Sequence, residues 1–200
     1  MARRKTPGKG LPEVELELNE AYQKVLHWFF SFPDTSIGLN DLSSALQISK
    51  TTARKIVVEL ESEGFLTRNI YGKTWIITCN KSHPYNHTKK VAFNLAMVFE
   101  AYNSGLREHI LNVVGNAQAI ILFGSYRNGD DTDKSDVDIA VETISNTDLK
   151  IIQLGVIHQF GYRKNITVNL HIFSRNKIDI NLFSNIANGI VLEGFLEVRT

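Results

Sequence analysis

One run of residues, 124–141, constrains the fold of this 200-residue chain more than any other feature. It reads Gly-Ser-x3-Gly-x5-Ser-Asp-x-Asp-x2-Val and directly follows residues 119–123, a short apolar stretch that is typical of a buried strand. Gly124 leaves the backbone free to approach a phosphate group closely, because it carries no side chain. Ser125 adds a hydroxyl and a backbone N–H as donors. The run therefore predicts a phosphate-binding turn at the end of a strand.

Two carboxylates in the same run predict a metal site. Asp136 and Asp138 lie two residues apart, so on a strand both side chains project from one face. Carboxylates this close repel each other unless a positive charge neutralises them, and a hard divalent cation, Mg²⁺ or Mn²⁺, is the usual one. Such a cation also binds a nucleoside triphosphate (NTP) and neutralises charge during phosphoryl transfer. A solvated strand end is the alternative interpretation of the two aspartates.

The glycine, serine and aspartate positions of this run resemble the nucleotidyltransferase superfamily, of the DNA polymerase β-like fold, and in particular its minimal nucleotidyltransferases. The resemblance extends more loosely over residues 105–200. It implies a C-terminal α/β nucleotidyltransferase fold with a short mixed sheet, and transfer of a nucleoside monophosphate (NMP) from an NTP to an acceptor. In family terms Gly124 and Ser125 match nucleotide-binding positions, and Asp136 and Asp138 match catalytic residues that bind the metal.

The chain departs from this family at one position. A third carboxylate is expected on a later strand, where it helps to bind metal and accepts the proton of the attacking hydroxyl. The corresponding run, residues 166–172, has Asn169 instead. An amide carries no charge and does not act as a base. His171 lies on the same strand face, either as a substitute base or as a partly buried, hydrogen-bonded histidine, so catalytic activity stays open.

The remaining polar residues near the run are given simpler roles. Asp130, Asp131 and Asp133 are expected to be solvated loop residues, and Arg127 reaches either a phosphate or water. Tyr126 is expected to pack inside the protein. Periodicity predicts further strands at residues 137–141, 166–173 and 195–199, and helices at residues 147–160 and 178–191.

Residues 18–80 have the element order of a winged helix-turn-helix, namely helix, short helix, turn, helix, hairpin. Ser49 caps the third predicted helix, and the hairpin turn is predicted at residues 71–73. The resemblance to this family is one of pattern, and it implies an N-terminal α+β domain whose third helix enters the major groove of DNA. An interaction module with an ordinary charged helix is the alternative. The residues predicted to contact DNA are Lys50, Thr51, Arg54, Lys55, Arg68 and Lys73.

Composition limits the other function classes. Lys and Arg number 22 against 21 Asp and Glu, so any DNA binding must come from local clusters of charge. The single cysteine, Cys79, excludes an internal disulfide and favours a reducing compartment. No apolar stretch approaches the ~20 residues that span a bilayer, so we expect a cytoplasmic protein with no membrane contact.

The chain is predicted to divide into four parts. These are a basic flexible tail at 1–15, the winged domain at 16–82, a linker and helix at 83–104, and the nucleotidyltransferase-like domain at 105–200.

Two functions follow from these patterns. The first is a metal-dependent nucleotidyltransferase that carries a DNA-binding winged-helix domain. The second is a DNA-binding transcriptional regulator whose other domain is catalytically degenerate and binds nucleotide or dimerises. A nucleotide and duplex DNA are the expected partners, and a homodimer stays open. Resemblance to minimal nucleotidyltransferases adds a toxin-type protein partner as a third possibility, although no residue here identifies one.

Overall fold

The computed structural model describes residues 21–197 of the chain. The predicted basic tail at 1–15 lies outside the described residues, as do the first residues of the predicted winged domain. Residues 21–197 form an α+β architecture with one three-stranded sheet and one five-stranded mixed sheet. The small sheet belongs to the N-terminal half of the chain and the larger sheet to the C-terminal half.

The N-terminal half contains three helices and a hairpin. The Ser49 hydroxyl accepts a hydrogen bond from the backbone N–H of Thr52 at 3.0 Å, which caps the third helix as predicted. Ala53, Ile56, Val57 and Leu60 form the buried face of that helix. The elements are α1 (Ala21–Ser31), β1 (Ile37–Gly38), α2 (Leu39–Ala45), α3 (Lys50–Ser62), β2 (Leu66–Tyr71) and β3 (Thr74–Cys79).

A two-residue turn, Gly72-Lys73, joins β2 to β3, and this confirms the predicted hairpin. The third strand of the small sheet is β1, which pairs with β3 on the other side. Phe29, Val57 and Phe65 are fully buried between the helices and the hairpin. These apolar side chains hold α3 against the sheet, so its charged face is directed outward.

A connecting segment packs against the N-terminal helices. His27 of α1 stacks on Phe93 with 4.3 Å between ring centroids, and burial lowers the pKa of His27 to about 4. The imidazole is therefore neutral at pH 7 and packs as an aromatic ring. The segment consists of a 3₁₀ turn (Pro84–Asn86), α4 (Lys89–Ala101), a π-helical turn (Tyr102–Leu106) and α5 (Arg107–Val114).

The C-terminal half forms the mixed sheet, with strand order β6-β7-β5-β4-β8. Strands β5 and β7 run parallel, and the other neighbouring pairs are antiparallel. The strands predicted at 119–123, 137–141 and 166–173 are confirmed. The elements are β4 (Ala119–Phe123), α6 (Ser125–Asn128), β5 (Val137–Glu142), β6 (Lys150–Phe160), β7 (Arg163–Phe173), a 3₁₀ turn (Arg175–Lys177), α7 (Ile180–Ala187) and β8 (Ile190–Gly194).

The helix predicted at residues 147–160 is wrong, because β6 occupies most of that segment and pairs with β7. The register shifts between Gln153 and Gly155, so a β-bulge lies in the middle of the strand. Ile152 and Ile157 face the buried side of the sheet, opposite Leu170 and Ile166. Ile152 and Ile157 face the same side although their positions differ by an odd number of residues, because the bulge interrupts the two-residue alternation. This interruption made the spacing of apolar residues in the strand resemble that of a helix.

The helix predicted at residues 178–191 is only half correct. Helix α7 ends at Ala187, and residues 190–194 form β8 at the edge of the sheet. Residues 195–197 of the strand predicted at 195–199 are not in a strand, and residues 198 and 199 lie outside the described part of the chain. The shift follows from pairing of β8 with β4, a contact between segments far apart in the sequence.

One face of the mixed sheet is left partly open. Ile121, Ala140 and Phe173 on that face pack against Ile186 of α7 in a small apolar cluster. Asp138 shares this face with Ala140, because side chains two apart on a strand project to the same side. The predicted site residues therefore lie on the sheet face that α7 covers only in part. No helix among residues 21–197 is long and apolar enough to cross a membrane.

Candidate active site

The predicted phosphate-binding turn begins where β4 ends. Gly124 has φ +73°, a conformation that side-chain-bearing residues rarely adopt. A Cβ at this position would lie 2.9 Å from Oδ2 of Asp138, which is too close. A side chain at residue 124 would therefore displace the Asp138 carboxylate, whereas glycine leaves the turn and the carboxylate in contact. Strand register produces the meeting, since Phe123 pairs directly with Asp138.

Both predicted carboxylates lie at the same end of β5. Asp136 is exposed immediately before the strand, and Asp138 is half-buried within it. The parallel neighbour β7 places Asn169 directly opposite Asp138. Nδ2 of Asn169 donates to Oδ2 of Asp136 at 3.2 Å and to Oδ1 of Asp138 at 3.5 Å. An amide donor thus bridges the two carboxylates, at the position where the sequence analysis expected a third one.

His171 is a second hydrogen-bond partner of Asp138. Nε2 of His171 lies 3.2 Å from Oδ1 of Asp138, and the imidazole packs edge-on against Phe123 at 4.9 Å between centroids. A carboxylate only accepts hydrogen bonds, so Nε2 carries the proton of this bond. Nδ1 of His171 is buried with no hydrogen-bond partner among the described residues. In this arrangement Nε2 of His171 is bonded to Asp138, and Nδ1 is buried, so neither nitrogen is exposed beside the two carboxylates.

The donor set at this end of β5 fits one kind of metal ion. Within residues 21–197 no group of three or more His, Cys, Asp and Glu side chains is arranged to hold a metal. Asp136 and Asp138 alone supply carboxylate oxygens, on an open face of the sheet. Mg²⁺ is commonly bound by one or two carboxylates and completes its six ligands with water and substrate phosphates. The two aspartates therefore fit a divalent cation that binds together with a nucleotide.

The residues of α6 have different environments. Ser125 is half-buried, and its hydroxyl makes no hydrogen bond to another residue of 21–197, so it is available to a ligand. Arg127 donates from Nε to the backbone oxygen of Asn188 at 2.6 Å, which ties α6 to the end of α7. Tyr126 is fully buried, as predicted.

Asp131 was expected to be solvated, and that expectation is wrong, because its side chain is 0 % exposed. Nζ of Lys90 lies 3.2 Å from Oδ1, and Nη1 of Arg163 lies 2.9 Å from Oδ2. Burial lowers the pKa of Lys90, and the Asp131 carboxylate opposes that shift. Asp130 and Asp133 are exposed as expected. No local pattern marks Asp131 as buried, since both of its charged partners come from distant segments.

The residues predicted to contact DNA fall into two groups. Lys50, Thr51, Arg54 and Lys55 are exposed along the first half of α3, and Lys73 is exposed at the hairpin turn. Arg68 instead forms an ion pair with Glu61 at 2.8 Å and lies over the Trp75 ring at 4.1 Å.

A cleft of about 390 Å³ lies between the start of α3, the start of α2 and the hairpin turn. Lys50, Arg54, Lys73 and Trp75 are among its lining residues, and the Arg54 guanidinium lies 5.0 Å from the Trp75 ring centroid. Sequence reasoning did not single out Trp75. Its position beside two arginines depends on how the hairpin packs against α3, which local patterns do not reveal.

Comparison with known families agrees with the C-terminal half of this picture. Residues 108–194 match the model of the family described as polymerase beta, nucleotidyltransferase. The matched range contains all strands of the five-stranded sheet, together with the turn at Gly124 and the two aspartates. Searches of curated proteins and of solved structures returned no match. The chain is therefore similar to nucleotidyltransferases over its C-terminal half, which supports a protein of the nucleotidyltransferase type.

Proposed function

We propose that this protein is a metal-dependent nucleotidyltransferase that moves an NMP from an NTP to an acceptor. The observation that carries the proposal is the junction of Gly124 with Asp138, where an added Cβ would lie 2.9 Å from Oδ2. A phosphate group bound at the turn is then adjacent to both carboxylates. The family match over residues 108–194 supports the same chemistry.

Each residue of the site has a distinct task in this proposal. The Gly124 backbone and the Ser125 hydroxyl bind the phosphates of the nucleotide. Asp136 and Asp138 are the residues that would hold the divalent cation beside the triphosphate. The cation supplies neutralisation of the charge that develops on the transferred phosphoryl group. His171 keeps Asp138 in its rotamer through the 3.2 Å contact, and Asn169 bridges the two carboxylates by donating to both.

A regulator without turnover is the second candidate, and the Asn169 bridge favours it. The bridging amide offers no base for the proton of an attacking hydroxyl. General-base assistance is typically worth about 10²–10⁴ in rate, so its loss makes a slow or inactive enzyme. Such a protein still binds nucleotide through the turn and the two aspartates.

A label-transfer assay distinguishes the two candidates. The full chain is incubated with each α-labelled NTP, with Mg²⁺ or Mn²⁺, and with RNA, duplex DNA and protein acceptors. We expect slow, cation-dependent transfer of label that is lost in EDTA. Nucleotide binding with no transfer to any acceptor favours the regulator, and absence of both binding and transfer contradicts the nucleotide site itself.

We further propose that residues up to about 82 form a winged helix-turn-helix that binds duplex DNA. Support comes from the order of α1, α2, α3 and the β2–β3 hairpin, and from the exposed basic side chains at the start of α3. Lys50, Arg54 and Lys73 of this basic surface line the cleft beside Trp75. Arg68 has a different task, since Glu61 and Trp75 engage its guanidinium and join the hairpin to α3.

Replacing both Lys50 and Arg54 by alanine is expected to weaken binding to duplex DNA. A lost base-contacting arginine costs about 1–3 kcal/mol, and each lost phosphate contact lowers the salt slope by about one. Titration of labelled duplex at several salt concentrations measures both effects. The matched control replaces two exposed lysines of the mixed sheet, Lys150 and Lys164, and should bind as the wild type does. Equal affinity of both double variants would show that α3 is not the DNA-contacting helix.

A further inference from the structure

The segment between the two halves of the chain contacts the nucleotide turn, defined here as residues 124–132. This connector, residues 84–94, is in backbone contact with the turn at Gly129. A Cβ on Gly129 would lie 1.8 Å from the backbone oxygen of Asn86, so the two backbones are in direct contact. Nδ1 of His87 also lies 3.2 Å from the backbone oxygen of Asn128. The end of α6 is therefore packed against the connector.

Asp131 is the centre of a buried cluster that joins the connector to the turn. Its Oδ1 accepts from Nδ2 of Asn94 at 2.7 Å and lies 3.2 Å from Nζ of Lys90, and both partners belong to the connector. Its Oδ2 pairs with Nη1 of Arg163, which lies at the start of β7. All four side chains are at most 2 % exposed. Burial of charges is costly unless they are paired, so this geometry is strongly specified.

The same side chains also hold the backbone of the turn. Nδ2 of Asn94 donates to the backbone oxygen of Tyr126 at 3.1 Å, and Nη1 of Arg163 donates to the backbone oxygen of Thr132 at 2.8 Å. The two ends of the turn are thereby tied to the buried cluster. Beyond it, the backbone N–H of Thr132 donates to the Ser135 hydroxyl at 2.9 Å, immediately before the carboxylates.

The connector is itself held by the N-terminal half. Phe93 stacks on His27 of α1, and Tyr85 packs on Phe65 at 5.6 Å between centroids. The hydroxyl of Tyr85 donates to Glu63 at 3.1 Å. The connector is therefore held by the N-terminal half on one side while it contacts the turn on the other.

We propose that Asp131 is a positioning residue of the nucleotide site, and that the connector is a structural part of that site rather than a passive linker. Lys90 and Asn94 act through Asp131 and the backbone of the turn, so that Gly124 and Ser125 are held in a binding geometry before nucleotide arrives. This inference rests on the proposed nucleotide-binding function. It implies that residues 105–200 alone lack the contacts that Lys90 and Asn94 make with the turn.

Two variants of the full chain test the proposal. Asn94→Ala removes both amide hydrogen bonds to the turn without changing charge. Lys90→Met with Asp131→Asn removes one buried cation and the carboxylate together, so the net charge of the buried cluster stays the same. The matched control is Arg107→Met, which deletes the ion pair with Glu193 in the same half of the chain but away from the turn.

Three measurements are made well below the melting temperature of each variant: calorimetric affinity for Mg²⁺-ATP, hydrogen exchange by peptide, and thermal melting. We expect both variants to bind Mg²⁺-ATP about tenfold or more weakly, as is typical when groups that orient a metal or ligand site are lost. Exchange should accelerate over residues 124–132 but not in the β2–β3 hairpin, which contributes no side chain to the buried cluster around Asp131. Arg107→Met should lower the melting temperature and leave the affinity unchanged. A merely structural role would lower melting temperature in all three proteins without this difference in affinity.

Wild-type affinity and unchanged exchange in both variants would overturn the role of Asp131. If the wild type itself binds no nucleotide, the proposed function fails, and the exchange data then decide the inference separately. Faster exchange confined to the turn would still support positioning by the connector, whereas unchanged exchange would overturn it.

Discussion

Asp136→Asn combined with Asp138→Asn is expected to abolish cation-dependent nucleotide binding while the fold is retained. The amides are nearly isosteric with the carboxylates, and the amide oxygen introduced at position 138 still accepts the hydrogen bond from His171. What is lost is the pair of negative charges beside Gly124, and the Asp131 carboxylate of the turn cannot replace it, because it is buried against Lys90 and Arg163. Calorimetry with Mg²⁺-ATP should show no measurable heat for the double variant. Label transfer, where the wild type supports it, should also disappear.

The control for this variant carries the same change in charge at another place. Asp133 and Asp148 are exposed, and replacing both by asparagine removes two carboxylates from the same half of the chain. This control should bind Mg²⁺-ATP as the wild type does. If the Asp136/Asp138 variant kept wild-type affinity, the metal site would have to be sought elsewhere on the sheet.

Asn169→Asp is expected to make the protein's stability depend strongly on divalent cations. The new carboxylate would lie about 3.2 Å from Oδ2 of Asp136 and 3.5 Å from Oδ1 of Asp138, where the amide now donates. Two unit charges at 4 Å repel by about 1–4 kcal/mol between bulk water and a protein surface. For a chain of this size that corresponds to about 2–4 °C of melting temperature per kcal/mol.

Cations should reverse this loss by mass action, so the variant should gain more thermal stability from Mg²⁺ or Mn²⁺ than the wild type does. Scanning calorimetry in EDTA and in excess cation measures the difference. The matched control is Asn185→Asp on the exposed side of α7, which adds the same charge away from the site. A restored base should also raise any transfer rate, by up to about 10²–10⁴.

A second variant, at His171, is needed to interpret an Asn169→Asp protein whose cation response and activity are unchanged. If the wild type already transfers label and His171→Ala silences it without weakening cation binding, His171 is the base and Asn169 is not the missing position. The hydrogen bond from Nε2 to Asp138 predicts instead that His171→Ala weakens cation binding through loss of the Asp138 rotamer. If neither Asn169→Asp nor His171→Ala changes cation response or activity, the third position of this site does not lie on β7.

The candidate site itself was largely predictable from local sequence. A strand followed by Gly-Ser, and two aspartates with one residue between them, determine which atoms share a face of the sheet. The two-residue alternation of the later strand also predicted that Asn169 and His171 share one face. Parallel pairing of β5 with β7 places Asn169 opposite Asp138 and His171 within hydrogen-bonding distance of it. These inferences hold because they depend only on the two-residue period of a strand and on the freedom of a glycine.

The wrong predictions concern residues whose environment is formed by segments far away in the sequence. Asp131 reads as a loop residue, yet it is buried by Lys90 and Arg163, which are 41 and 32 residues away. β6 carries a bulge that only its pairing with β7 reveals, and β8 exists because it completes the edge beside β4. Local sequence therefore determined which residues are candidates for binding the nucleotide and the metal. The tertiary structure alone decided what holds them in place, because burial and pairing energies belong to contacts between segments and not to either segment alone.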